Sequence, residues 1–161
     1  MQRSSEASFL GSHINKIDAK GRVAAPADFR RALESDPLRG LYCLPSLRGP
    51  YLECGGGDFV DHLKAMIRAL DPFDPDREAL EEHLLGAIRP LSFDTEGRFV
   101  LPEPFRQHAD LGDRAMFVGR GETFVIRNPD GAQERLASTK SRAEAALRRL
   151  RNPGTPPGEG A

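Results

Sequence analysis

Apolar positions along the chain fall into short runs rather than long stripes. Val23-Ala24-Ala25, Leu41-Tyr42-Cys43-Leu44 and Phe99-Val100-Leu101 each read as a strand buried on one or both faces. Met116-Phe117-Val118 and Thr123-Phe124-Val125-Ile126 flank Arg120-Gly121, the pattern of a hairpin. Helical spacing appears in three places. Asp58 stands where it could cap a helix carrying Phe59, Leu63, Met66, Ile67 and Leu70 on one face. Asp74-Pro75 opens a second helix bearing Leu80, Leu84, Ala87 and Ile88, and the D-P-F-D-P-D loop makes the two a helical hairpin. A last helix is predicted from about Asp130 to Arg151, with Leu136, Ala143, Leu147 and Leu150 as a narrow seam. The closing NPGTPPGEGA, residues 152–161, has three prolines and three glycines and is expected to be disordered. The fold class is therefore α+β, mainly β, with peripheral helices.

The pattern also repeats. Residues 17–30 read IDAKGRVAAPADFR and residues 93–106 read FDTEGRFVLPEPFR, an ungapped offset of 76. Six of the 14 positions are identical and four more pair apolar with apolar, where about one identity is expected from composition. Each copy reads as a turn, a strand and a short helix. Asp18 and Asp94 can accept hydrogen bonds from backbone N–H groups two residues on. Gly21 and Gly97 permit a left-handed backbone. Pro26 and Pro102 sit where a helix begins. One copy is too small to bury much surface. The duplication therefore predicts two half-domains, residues 1–88 with the helical hairpin and 89–151 with the last helix, joined as a pseudo-twofold pair in one sheet or barrel.

Composition narrows the function. The chain has 161 residues, with 23 basic and 24 acidic side chains, so a uniformly basic nucleic-acid coat is excluded but a local patch is not. No stretch approaches the length needed to cross a bilayer. The opening MQRSSEASFLGSHINK has no secretory apolar run, so the cytoplasm is the expected compartment. Cys43 and Cys54 lack matched partners for a metal site, and His13, His62, His83 and His108 are scattered, so no metal and no cofactor are expected. Gly55-Gly56-Gly57 lacks the Lys-Ser/Thr of a phosphate loop. No acid–base couple stands out, and neither an enzyme nor a small-molecule substrate is expected.

The two boxes, Asp18-x-x-Gly21-Arg22 with Pro26 and Arg30, and Asp94-x-x-Gly97-Arg98 with Pro102 and Arg106, resemble the tandem Asp-x-x-x-Arg boxes of the MraZ family. That family belongs to the SpoVT–AbrB superfamily of swapped-hairpin DNA-binding folds. Phe9-Leu10-Gly11 and GLYCLPSL (40–47) resemble its alphaproteobacterial members. The resemblance covers roughly residues 9–150. It implies AbrB-like half-domains that form a pseudo-twofold β-barrel, and a ring-shaped homo-oligomer. It also implies a transcriptional regulator, expected to be a repressor, of repeated boxes upstream of the division and cell-wall gene cluster. A nucleoid location goes with that role, and Arg22 and Arg98 would lie on double-stranded DNA. Where family members often carry Glu-Ile-Trp, this chain reads Phe124-Val125-Ile126-Arg127 and has no Trp.

Charge separates the two copies. Residues 13–31 carry Lys16, Lys20, Arg22, Arg30 and Arg31 against Asp18 and Asp28, a net of +3. Residues 94–106 carry Arg98 and Arg106 against Asp94, Glu96 and Glu103, a net of −1. Arginine pairs bidentately with guanine, and lysine suits phosphate. Arg22, Arg98, Lys20, Lys16 and Arg30 are therefore the expected DNA contacts, with Asp18, Asp94, Gly21 and Gly97 orienting the turns. Another AbrB-type regulator, or an antitoxin-like DNA binder, is the main alternative, although those carry one box per chain. A structural ring protein and an enzyme rank below it.

Overall fold

A computed structural model describes residues 8–151; the tail predicted to be disordered, 152–161, lies outside them. Of the described residues, 8–129 form one compact unit and 130–151 a second.

The first unit is mainly β. In chain order it runs β1 (Ser12–Lys16), β2 (Arg22–Ala24), α1 (Ala27–Ala32), β3 (Gly40–Pro45), β4 (Leu52–Gly55), α2 (Gly57–Arg68) and α3 (Pro75–Leu80). After a π-helical turn at Glu81–Leu85 come β5 (Arg89–Ser92), β6 (Arg98–Val100), α4 (Glu103–His108), β7 (Arg114–Gly119) and β8 (Phe124–Arg127). Six strands make one antiparallel sheet in the order β1-β7-β8-β4-β3-β5, and β2 and β6 make a separate two-stranded ribbon. Exchanging the equivalent strands of the two repeats (β1 with β5, β3 with β7, β4 with β8) reverses this order onto itself. The sheet is thus pseudo-twofold, and each repeat lends its first strand to the other: β1 pairs with β7, and β5 with β3.

Of the sheet or barrel expected, the described residues form an open sheet, with no closed barrel. The six-stranded ladder is open between β1 and β5, because tight turns at 18–21 and 94–97 lift β2 and β6 out of the sheet to pair with each other. One bridge, Ile17 to Val23, ties that ribbon back to the β1 edge. Between sheet and ribbon lies the core, in which Phe9, Phe29, Phe99, Phe117 and Phe124 are all buried. Their rings meet tilted or edge-on, Phe9 and Phe29 at 5.3 Å between centroids. A second cluster, Leu44, Phe59 and Leu63, forms where α2 covers β3.

The predicted strands at 23–25, 41–44, 99–101, 116–118 and 123–126 correspond to β2, β3, β6, β7 and β8. The helices differ in detail. Asp58 does not cap α2; Gly56 holds the N-cap position, and Asp36, from the loop after α1, accepts the Gly57 N–H. The buried stripe of α2 is Phe59, Leu63 and Ile67 at strict i, i+4 spacing, which turns Met66 outward. Asp74 does cap α3, accepting from Asp76 N–H at 2.9 Å. The regular α-helix stops at Leu80, and Ala87 and Ile88 follow the π turn. In the second unit, α5 spans Ala132–Leu147 after Gly131, and Leu136, Leu147 and Leu150 are exposed.

Candidate nucleic-acid interface

The two boxes fold into loops with the same hydrogen bonds because each aspartate satisfies the turn from within. In the first, Asp18 Oδ1 accepts the backbone N–H groups of Lys20 and Arg22, both at 2.9 Å. Its Oδ2 accepts Arg22 Nε at 2.6 Å. In the second, Asp94 Oδ1 accepts from Glu96 and Arg98 N–H at 2.9 Å, and Oδ2 accepts Arg98 Nε at 2.9 Å. Gly21 and Gly97, at φ +83° and +76°, complete the turns in the left-handed region that glycine adopts most readily. Hydrogen bonds to the charged form favour it. The Arg22 N–H accordingly draws the Asp18 carboxyl below its ordinary range, and the Arg98 N–H does the same for Asp94. Asp94 in turn raises the Arg98 guanidinium.

The ribbon then sets the arginines. In the β2–β6 register Arg22 faces Val100, Val23 faces Phe99 and Ala24 faces Arg98. Directly opposed residues share a face, and alternate residues change face. Val23 and Phe99 are buried, so Arg22, Ala24, Arg98 and Val100 all lie on the outer face, where Val100 is 51% exposed. Arg22 and Arg98 are diagonal neighbours there, a relation that spaces residues about 7–8 Å apart. The carboxylates hold both arginines at Nε; among the described residues no carboxylate takes the terminal nitrogens of Arg22. On Arg98 one terminal nitrogen is taken by Glu96 at 3.2 Å.

Lys20 is exposed on the first loop, and Lys16 is exposed at the end of β1, one residue before the Ile17–Val23 bridge. Arg30 lies elsewhere: its half-buried side chain runs against Gly97 of the second loop. The ribbon thus gathers Arg22, Arg98, Asp18, Asp94 and the two glycines, with Lys16 and Lys20 beside the first loop. Val100, on the ribbon's outer face, and Arg106, whose guanidinium lies beside Gly21, are parts of this assembly that candidate-residue reasoning missed. Arg106 could have been found, since it matches Arg30 in the repeat; nothing local marks Val100.

Comparison with known proteins identifies the family. A family profile described as "MraZ protein, putative antitoxin-like" matches residues 84–151. "Transcriptional regulator MraZ" of Rickettsia bellii (strain OSU 85-389) is 39% identical over 145 residues, 89% of this chain and 97% of that protein. The protein of the same name from Rickettsia canadensis (strain McKiel) is 37% identical over 144 residues, with the same coverage. The chain belongs to the MraZ family. It is a transcriptional regulator by that kinship, and the relatives are alphaproteobacterial, as the opening and GLYCLPSL segments suggested.

Other chemistry in this MraZ-family chain is sparse. Cys43 and Cys54 are directly opposed on β3 and β4, both thiols buried and free, with 3.5 Å between sulfurs. Burial pushes the Cys54 thiol up, away from the reactive thiolate. Among the described residues no group of three His, Cys, Asp or Glu could hold a metal ion, and no helix is long and apolar enough to cross a membrane.

Proposed function

We propose that the chain is a sequence-specific DNA-binding regulator, a repressor, that reads repeated boxes upstream of the division and cell-wall gene cluster. It works from the cytoplasm, on the nucleoid, as a ring-shaped homo-oligomer, each chain being two half-domains, 1–88 and 89–151. The observation that carries this reading is the placement of Arg22 and Arg98 on one exposed face of a two-stranded ribbon. A major groove admits such a ribbon, and arginine reads guanine O6 and N7 there. Asp18 and Asp94 aim the guanidinium groups, and Lys16 and Lys20 meet phosphate. Val100 and Ala24 offer the same groove small apolar groups that suit a thymine methyl.

The test is a footprint on the chain's own upstream region, followed by gel shifts of Arg22→Ala and Arg98→Ala. Each substitution should weaken specific binding by about 1–3 kcal/mol, roughly five- to 150-fold, with circular dichroism and solution mass unchanged. Unaltered binding by the double variant would sink the reading.

A further inference from the structure

The arginine that follows each box in sequence lies against the other box in space. Arg30, on α1, belongs to the first repeat, yet a Cβ built on Gly97 of the second loop would collide with its Nη1, and would stand 2.7 Å from its Cζ and 2.8 Å from its Cδ. Arg106, on α4, belongs to the second repeat, yet its Cζ and Nε come within 3.3 and 3.4 Å of a Cβ built on Gly21 of the first. Backbone bonds cross in the same sense. Leu101 N–H donates to Gly21 O at 2.9 Å and Ala25 N–H to Gly97 O at 3.1 Å. Arg106 Nε donates to Leu101 O at 3.1 Å, so the first loop, Leu101 and Arg106 form one connected chain. A Cβ on Gly97 would take space that Arg30 fills, and a Cβ on Gly21 would press on Leu101 O, at 3.0 Å, and on the Arg106 guanidinium. Gly21 and Gly97 therefore do two things: they make the turn, and they leave a bare face for the opposite arginine.

We propose that Arg30 and Arg106 are reciprocal positioning residues, each holding the reading loop of the opposite repeat, so that Arg30 acts through Arg98 and Arg106 acts through Arg22. This rests on the ribbon reading above for its effect on DNA, and it gives Arg30 a role other than the direct DNA contact its sequence position suggested. The two halves of the reading surface are thereby interlocked, and neither loop keeps its geometry if the other repeat is disturbed.

Two measurements test it. Hydrogen exchange needs no DNA. Arg30→Ala should speed exchange of the Gly97 and Arg98 amides and leave those of Gly21 and Arg22 unchanged, and Arg106→Ala should do the reverse. Faster exchange confined to each arginine's own repeat overturns the proposal, whatever becomes of the DNA reading. The second measurement is a double-mutant cycle on DNA affinity. Arg30→Ala should add little to Arg98→Ala, but should multiply with Arg22→Ala to within about twofold. Arg30→Lys should behave like Arg30→Ala, and the salt dependence of binding should keep its slope. Rescue by lysine, or a slope reduced by about 0.9, marks a direct phosphate contact and overturns the positioning role.

Discussion

At the scale of single residues, the turns were legible because the side-chain hydrogen bonds that close them are local. Asp, Gly and Arg at fixed offsets specify an aspartate that collects two backbone N–H groups and one guanidinium, and both loops do this with the same atoms. The carboxyl pKa of Asp18 and of Asp94 is lowered in the fold, so each contribution is present at neutral pH and is lost as pH falls below the ordinary aspartate value of about 3.9. Amide resonances of Gly21 and Gly97 should therefore shift together below about pH 4, and Asp18→Asn should abolish the shift at Gly21. A titration of Gly21 unaffected by that substitution would refute the assignment. Glycine itself offers a sharper contrast. Gly97 and Gly121 both have positive φ, but only Gly97 meets a neighbour, Arg30, whereas nothing lies within 4 Å of a Cβ on Gly121. Alanine at Gly121 should cost about 1 kcal/mol of backbone strain, a loss of roughly 2–4 °C in Tm. Alanine at Gly97 should cost measurably more in the same thermal melts. No sequence pattern indicates that difference, because Arg30 is 67 positions away from Gly97.

At the scale of elements, strands and helices were found where apolar spacing is regular, and their ends were missed where the capping group comes from elsewhere. The α2 N-terminus is the clear case. Asp58 is the local candidate, but the Gly57 N–H is taken by Asp36, 21 residues upstream. Asp36→Ala should destabilise the fold by about 1 kcal/mol, while Asp58→Ala should be close to neutral; equal effects in urea unfolding would contradict the assignment. The loops differ in the same way that their charges do. Arg22 has one carboxylate partner, whereas Arg98 has both Asp94 and Glu96, and the first loop also bears the exposed Lys20. The first loop should thus carry more of the phosphate attraction. Gel shifts should show Lys20→Glu weakening binding and Glu96→Lys strengthening it, each with a matching change in salt slope. A Glu96→Lys variant that binds no better would argue that the second loop stays off the backbone.

At the scale of the whole molecule, the duplication announced two related halves joined in one pseudo-twofold sheet, yet not which strands pair across them. Spacing within a repeat cannot show that β1 will pair with β7 and β5 with β3, since strand exchange depends on which edge the partner repeat leaves open. Both arginines lie on one ribbon of three residue pairs, a small head for the proposed DNA contact. A head of this size neutralises few phosphates, and affinity at physiological salt scales with that number. If the chain acts as a ring on repeated boxes, the missing affinity comes from engaging several boxes at once, through effective concentration rather than new contacts. Such engagement is geometric. Adjacent boxes must present the same groove face to adjacent heads, and DNA turns once in about 10–10.5 base pairs. Inserting about five base pairs between two boxes should therefore reduce affinity towards that of a single box, whereas inserting about ten should restore much of it. Titrations of these duplexes at fixed salt provide the measurement. A single-box duplex bound as tightly as the natural array would mean that one head suffices, and the need for an assembly would disappear.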